Sequence, residues 1–406
     1  MVLFHKGSNF QEIFPIFVVK REFSMTRIVV AFDSFKGSLT SREAGEAFAQ
    51  GFRDVVDANV TIVGIADGGE GTAEVVAEGA GGMMVTSMAT DPLGRSIEAQ
   101  YAIVKGGTMA VIAMSAASGL TLVEPGRRNP VVATTYGTGE LIKDALRRGC
   151  RDIVVGLGGS ATNDGGVGML RALGYRFYDS EGVELCDTMD ILERVCRVSD
   201  ECRVPFGDVH IVAATDVDNP LCGPRGATYV YARQKGADEA MIERLEAAMR
   251  HYAEVVDAWC GRDASAMPGV GAAGGVGYAM SALMDVELRS GIDMVLDVVD
   301  FDKAVEGADL VVTGEGRVDR QTLMGKAPAG VARRAQRLGV PCVAVGGSVA
   351  WTDIPVETPF AYIAAATPAS MPLDEAMRHP VAISNLRAAG SRVARWWLEN
   401  RYVGVL

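Results

Sequence analysis

A chain of 406 residues is longer than one ordinary domain, so two α/β domains are the starting expectation. Hydrophobic residues at 49% and charged residues at 22% suffice for a packed core and exclude wholesale disorder. The net charge of −12 argues against nucleic acid, which needs a basic footprint, but not against small anions, which local amides and single cations hold.

Residues 1–24 contain an apolar run, Ile13 to Val19, that Pro15 breaks and that is too short to span a membrane. Lys20, Arg21 and Glu22 follow where a signal peptide carries small residues. These 24 residues are therefore expected to be a poorly ordered extension. No other apolar run is long enough for a transmembrane helix. The seven cysteines are scattered without CxxC spacing, as in a reduced, cytoplasmic protein without structural zinc.

From Met25 onward, "RIVVAF" reads as a central parallel strand and "DSFKGSLT" as its loop. "SREAGEAFAQGFRDVV" is an amphipathic helix with Thr40 or Ser41 as N-cap and Glu43 or Glu46 in its first turn. "VTIVGIADGGEGT" is the next strand and loop, completing a βαβ unit. The same grammar returns at the other end in "ADLVVTGEGR", "GKAPAGVARRAQRLG", "PCVAVGGS" and "FAYIAAAT". Five strands of one style predict a doubly wound parallel sheet from residues 25–85 plus 296–406. Between them, residues 86–295 alternate polar and apolar positions around turns, carry the strands "DIVVGLGG" and "VHIVAATDV", and include a long helix in "DEAMIERLEAAMRHYAEVVDAW". This middle predicts an inserted α/β domain with a mixed sheet.

The 48 glycines are clustered, mostly with carboxylates, hydroxyls, amides or lysines, and four clusters follow predicted strands. Strand ends in parallel sheets point into the crevice where ligands bind. Cations beside carboxylates suit phosphoryl transfer, which needs amides and cations around phosphates, carboxylates for Mg²⁺ and a carboxylate to take the hydroxyl proton. His5, His210, His251 and His379 lie outside the clusters. "GLGGSA" from Gly156 fits a dinucleotide fingerprint, but the polar loop runs on through Thr162, Asn163 and Asp164 instead of opening a helix. "GVGAAG" from Gly269 follows no strand. Gly325-Lys326 lacks the hydroxyl of a P-loop, since Ala327 comes next.

The blocks "DSFKGSLTSREA", "ADGGEGT", "TDPLGR", "NPVVATTYGTGELI", "GLGGSATNDGGVGML", "TDVDNPLCGPRGA", "QKGA", "PGVGAAGGVG" and "TGEGRVDRQTLMGKAP" stand in that order over roughly residues 26 to 370. In them the chain resembles the bacterial glycerate kinase family that includes glycerate 2-kinase. The resemblance implies a flavodoxin-like domain with a second α/β domain inserted into it. It also implies phosphorylation of D-glycerate with ATP and Mg²⁺, with 2-phosphoglycerate the favoured product. Two positions depart from the family pattern: no proline precedes Asp33, and Thr135 stands where serine is usual.

Among the residues, the catalytic candidates are Asp164, Asp216, Lys36 and Asp67. Asp164 and Asp216 would act as base or hydroxyl partner, Lys36 on carboxylate or phosphate, and Asp67 as a magnesium-side carboxylate. Glu70, Glu315 and Asp319 join Asp67 as Mg²⁺ candidates. Ser38, Gly158, Gly159, Ser160, Asn163, Lys235, Arg317 and Lys326 are candidates for phosphate or substrate. The amides of "GGSATNDGG" would hold either an ATP phosphate or the glycerate carboxylate. The competing structural roles are an N-cap for Asp164 and a left-handed turn for Asn163. Two rival functions are an NAD-dependent dehydrogenase of a small hydroxy acid and a non-catalytic small-acid-binding protein. A homo-oligomer is possible on this reading.

Overall fold

The protein is described by a computed structural model for residues 25–69, 71–323, 326–355 and 357–400. The expected extension at 1–24 and the candidate Glu70 lie outside the described residues. Strand β1 (Thr26–Phe32) is followed by the helix Ser41–Arg53 and β2 (Ala58–Gly64). Next come β3 (Met83–Thr90), β4 (Ser96–Val104), β5 (Met109–Ala113) and β6 (Asp152–Gly156). Three short strands follow, β7 (Arg176–Tyr178), β8 (Glu184–Leu185) and β9 (Arg197–Ser199). Then come β10 (His210–Ala214), β11 (Glu287–Arg289), β12 (Leu310–Val318), β13 (Cys342–Val349) and β14 (Tyr362–Ala365).

Two of the first strands and the last three form one parallel sheet in the order β14-β13-β12-β1-β2. Counted within the sheet this is the flavodoxin-like order 2-1-3-4-5. Its central strand β1 is a run of apolar residues because both faces are covered, and Ile28 to Phe32 are all buried. On one face lie the helices Ser41–Arg53 and His379–Asn400, whose Phe48, Phe52, Leu386 and Val393 pack on Ile28, Val30, Val343 and Val345. The first of these helices starts as its sequence predicts. Thr40 caps it, and its Glu43 bonds back to the Thr40 amide in a reciprocal capping box.

The second sheet runs β11-β10-β6-β5-β4-β3. Its β3, β4 and β5 pair antiparallel, while β5, β6, β10 and β11 pair parallel. It is inserted between the second and third strands of the first sheet, so the architecture is a flavodoxin-like doubly wound parallel sheet with a second, mixed-sheet α/β unit inserted. A small antiparallel sheet, β8-β7-β9, is added to the insertion. The helices Thr72–Gly79, Gly291–Val298 and Ala327–Arg337 lie between the two large sheets. Their Val76, Val295 and Val331 share one core with Val29 and Ala31 of β1 and with Val111, Val154 and Ala214 of the second sheet. Each of the three helices therefore presents its N-terminus toward the carboxyl ends of the strands.

Candidate active site

The order 2-1-3-4-5 reverses direction between β1 and β12, and ligands of such sheets bind beyond the strand ends at that switch point. A cleft of about 780 Å³ opens there. The turn after β1 contributes Asp33, Lys36 and Ser38, β2's loop contributes Asp67, and the end of β12 contributes Glu315, Arg317 and Asp319. Lys326, which opens the helix Ala327–Arg337, stands on the same rim. The opposite wall is apolar, with Val349, Ala366, Pro368, Met371 and Leu386. One cleft thus joins a greasy wall to a rim of alternating charge.

The acids of this rim crowd one another. Burial, reinforced by Asp67, pushes the Asp33 carboxyl up to about 7, although it accepts a hydrogen bond from the Ser34 amide at 2.6 Å. Burial also raises Glu315, against the opposing pull of the Thr322 hydroxyl at 2.7 Å and of Lys326 at 3.7 Å. Asp319 is committed elsewhere. It accepts from the Gln321 amide at 2.9 Å and pairs with Arg317 at 3.4 Å. Among the described residues no three His, Cys, Asp or Glu side chains converge as a metal cage. Of the sequence-predicted magnesium set, Asp67, Glu315 and Asp319 all line the cleft, but Asp319 is also engaged by its own turn and by Arg317.

A second cavity, of about 540 Å³, lies beyond the ends of β10 and β11. Thr215, Asp216, Arg289, Ser290 and Arg333 line it. Ala214 and Arg289 are register partners, so the parallel strands bring Asp216 and Arg289 to the same end of the sheet. Asp216 Oδ1 accepts from the Ser290 hydroxyl at 3.0 Å and the Gly291 amide at 2.9 Å. Solvent reaches this side chain, yet the surrounding protein desolvates the carboxyl enough to raise it to about 6, aided by Asp67 and Asp293. Asp67 joins the two spaces. It lines the first cleft, and its carbonyl packs against Gly291, leaving no room for a Cβ there.

The glycine-rich loop from Gly156 to Gly166 has a different character from the one its composition predicts. It is packed, not open. A Cβ on Gly156 would collide with the Gly68 carbonyl, and one on Gly158 would stand 2.7 Å from the Gly69 Cα. On its far side the loop meets Gly274 and Gly275, both at positive φ. Its polar residues turn inward. Asp164 is fully buried and accepts from the Thr135 amide and hydroxyl and from the Gly166 and Gly168 amides, at 2.7–3.2 Å. It is not the N-cap the sequence offered, since Gly166 holds that position of the helix Val167–Ala172, but its carboxylate ties the loop to that helix's first amides and to Thr135. Asn163 bonds Thr228 at 3.1 Å with its backbone outside the left-handed region. Lys235, buried and pushed down to about 7 by desolvation, donates to Ser160 Oγ at 2.9 Å and the Thr162 carbonyl at 2.6 Å. The structure brings none of Ser160, Asn163, Asp164 and Lys235 to either cavity. Gly158 and Gly159 alone of the predicted loop residues reach solvent. The stacking of Gly68 and Gly69 on Gly156 and Gly158 also occupies the place where a dinucleotide's pyrophosphate would approach.

Sequence reasoning gave Asp33 no role and passed over Arg289, Ser290, Ser348 and Thr367. Asp33 had a signal, as the first residue after a strong strand. So had Ser348 and Thr367, in the small-residue ends of "PCVAVGGS" and "FAYIAAAT". Arg289 had none, because β11 is three residues long.

Known proteins bear on this arrangement directly. The sequence model described as the glycerate kinase family matches residues 28–398. A glycerate kinase of Bacillus cereus is 43% identical over 374 residues, covering 91% of this chain and 98% of the relative. A glycerate 2-kinase of Escherichia coli K12 is 42% identical over 325 residues, covering 80% of this chain and 85% of the relative. A solved structure from Salmonella typhimurium LT2, named as a glycerate kinase 2, superposes with a TM-score of 0.82 at 38% identity, covering 93% of this chain and all of that one. With the match running through both sheets and both cavities, the chain belongs to the glycerate kinase family.

Proposed function

We propose that the protein transfers the γ-phosphoryl group of ATP to a hydroxyl of D-glycerate, the 2-hydroxyl being favoured. The observation that carries this reading is the switch-point cleft, where an apolar wall faces a rim of cations and carboxylates. The wall of Val349, Ala366, Pro368, Met371 and Leu386 suits a purine base, and Lys36, Arg317 and Lys326 suit the phosphates. Family membership supports the same donor and acceptor. The cytoplasm, where ATP is abundant, is the compartment this reading implies.

Magnesium fits as the partner of the nucleotide. Mg²⁺ keeps most of its ligands as phosphate oxygens and water and needs one or two carboxylates from the protein. Asp67 and Glu315 would supply them, beside Asp33, and their mutual repulsion is the kind a divalent cation relieves. The ion would neutralise charge on the phosphates. Asp216 is the proposed base. Its Oδ2, which accepts no hydrogen bond from a described residue, takes the hydroxyl proton as that oxygen bonds to the γ-phosphorus. The bond from the γ-phosphorus to the bridging oxygen breaks, and ADP leaves with the electron pair.

On this reading Asp164, Asn163, Ser160 and Lys235 are scaffold, and Gly158 and Gly159 are the loop's remaining backbone contacts. The division into 25–85 plus 296–406 and 86–295 is kept as a proposal, its seams lying beside the shared helical layer. Phosphorus NMR of protein, Mg²⁺, ATP and D-glycerate tests the function. A product resonance split by one methine proton is expected, as for a 2-phosphate. Splitting by two protons would move the transfer to the 3-hydroxyl, and no ATP-dependent product would sink the proposal.

A further inference from the structure

The second cavity holds more than a base. Beyond Asp216 it is lined by two cations, Arg289 and Arg333, with the hydroxyls of Thr215 and Ser290 beside them, and by a second carboxylate, Asp218, which Arg225 pairs with at 3.3 Å. It is smaller than the nucleotide cleft and lacks that cleft's long apolar wall. Among the described residues the Arg289 guanidinium pairs with one carboxylate, Asp297 at 2.8 Å, which it shares with Arg334 at the same distance. Arg334 also takes Asp302 at 2.6 Å, so this pair of acids serves two arginines and leaves donors of the Arg289 fork uncommitted. Arg333 is exposed and makes no ion pair among the described residues. A small ligand here would meet a fork of N–H donors on one side and a carboxylate on the other. That is the pattern a 2-hydroxy carboxylate complements, anion to arginine and hydroxyl to acid.

We propose that this cavity is the acceptor subsite and that Arg289, seconded by Arg333, binds the acceptor's carboxylate and so sets specificity for hydroxy acids over neutral polyols. The inference rests on the kinase reading and adds to it the residues that choose the acceptor. Asp67 and Gly291, in contact between the two cavities, mark where donor and acceptor would meet. Arg289 acts by binding, so its loss appears in KM for the acid and leaves the nucleotide site alone.

The test compares steady-state kinetics of the wild type, Arg289→Ala, Arg289→Lys and Asp297→Asn with ATP against D-glycerate and against glycerol. For Arg289→Ala the glycerate KM is expected to rise at least tenfold, as for loss of a charge-assisted contact, with the ATP KM within about twofold. The rate ratio of glycerol to glycerate is expected to rise in step, and Arg289→Lys to recover part of the loss. Asp297→Asn, which removes the ion pair and keeps the arginine, is expected to hold the glycerate KM near wild type. An unchanged glycerate KM in Arg289→Ala would overturn the proposal, as would an equal rise in Asp297→Asn, which would make the arginine a structural tie. Wild-type protein that forms no phosphoglycerate would instead fail the kinase reading itself, so the two failures are distinct. Melting curves of each variant show that the folded enzyme is being compared.

Discussion

At Asp33, burial and the neighbouring Asp67 raise the carboxyl from the ordinary 3.8 to about 7. Between those values the folded chain keeps a proton that the unfolded chain has lost, so this group's contribution to stability is full at low pH and falls as pH rises toward 7. Asp33→Asn cannot titrate and still offers an oxygen to the Ser34 amide. Its stability advantage over wild type is expected to widen from pH 5 to pH 8, reaching roughly 1–4 kcal/mol. Thermal melts at the two pH values check this, and a constant gap would show that the carboxyl does not titrate in that range. The same variant is expected to lose more than tenfold in turnover, because a charge held at a cost in stability is the mark of a working site. Burial raises the Asp164 carboxyl too, but there the hydrogen bonds decide the outcome of substitution. Its four donors have no other acceptor among the described residues, so Asp164→Asn, which turns an amino group toward some of them, is expected to cost about 2–4 kcal/mol by urea denaturation. The KM values of the fraction that folds should stay near wild type, and a selective fall in turnover without loss of stability would return Asp164 to the chemistry.

Elements differ in how far their sequences announce them. The strands β1, β12 and β13 were legible because a central parallel strand covered on both faces reads as an apolar run, and the edge strands β2 and β14 by their β-branched or small residues beside turn signals. The helix at Ser41–Arg53 was legible to within one residue of its cap, the sequence offering Thr40 or Ser41 and the structure choosing Thr40 with Glu43 three residues on. The strands β7, β8, β9 and β11 were not, since two or three residues carry no period. The same limit hid half of the site. Asp67 follows β2 and Glu315 stands in the last part of β12, so both could be placed at strong strands' ends, whereas Arg289 closes a strand too short to see. The inward facing of Lys235 and Asp164 was not legible for another reason. A buried polar network uses the residue types of an active site, and sequence does not reveal which way they face. The loop around Gly156 shows the difference in its glycines, which allow Gly68 and Gly69 to lie directly on it. Gly156→Ala is expected to force those backbones apart, moving Asp67. Turnover should fall by two orders of magnitude or more with at most about 3 kcal/mol lost in stability. Wild-type turnover in Gly156→Ala would separate the crossing from the site.

For the molecule as a whole, the shared layer of helices decides how the two sheets behave. Two domains joined only by linkers would move freely and could melt apart. Here Ile292, Val295 and Leu296 are fully buried in a core to which both sheets contribute, with Val29 and Ala31 on one side and Val111, Val154 and Ala214 on the other. Opening a hinge between the sheets would expose that core, at about 25 cal/mol for each Å² of apolar surface. The cleft is therefore read as largely formed before ligands arrive, and the chain as one cooperative unit despite its two sheets. Ile292→Ala is expected to lower stability by about 2–4 kcal/mol, with a single calorimetric transition retained and shifted to lower temperature as a whole. The shift should be recovered in part by Mg²⁺ with ATP, since both strand-end loops that hold the ligands rest on the same layer. Two separated transitions, with only one displaced by the substitution, would mean that the sheets fold independently and that the layer belongs to one of them.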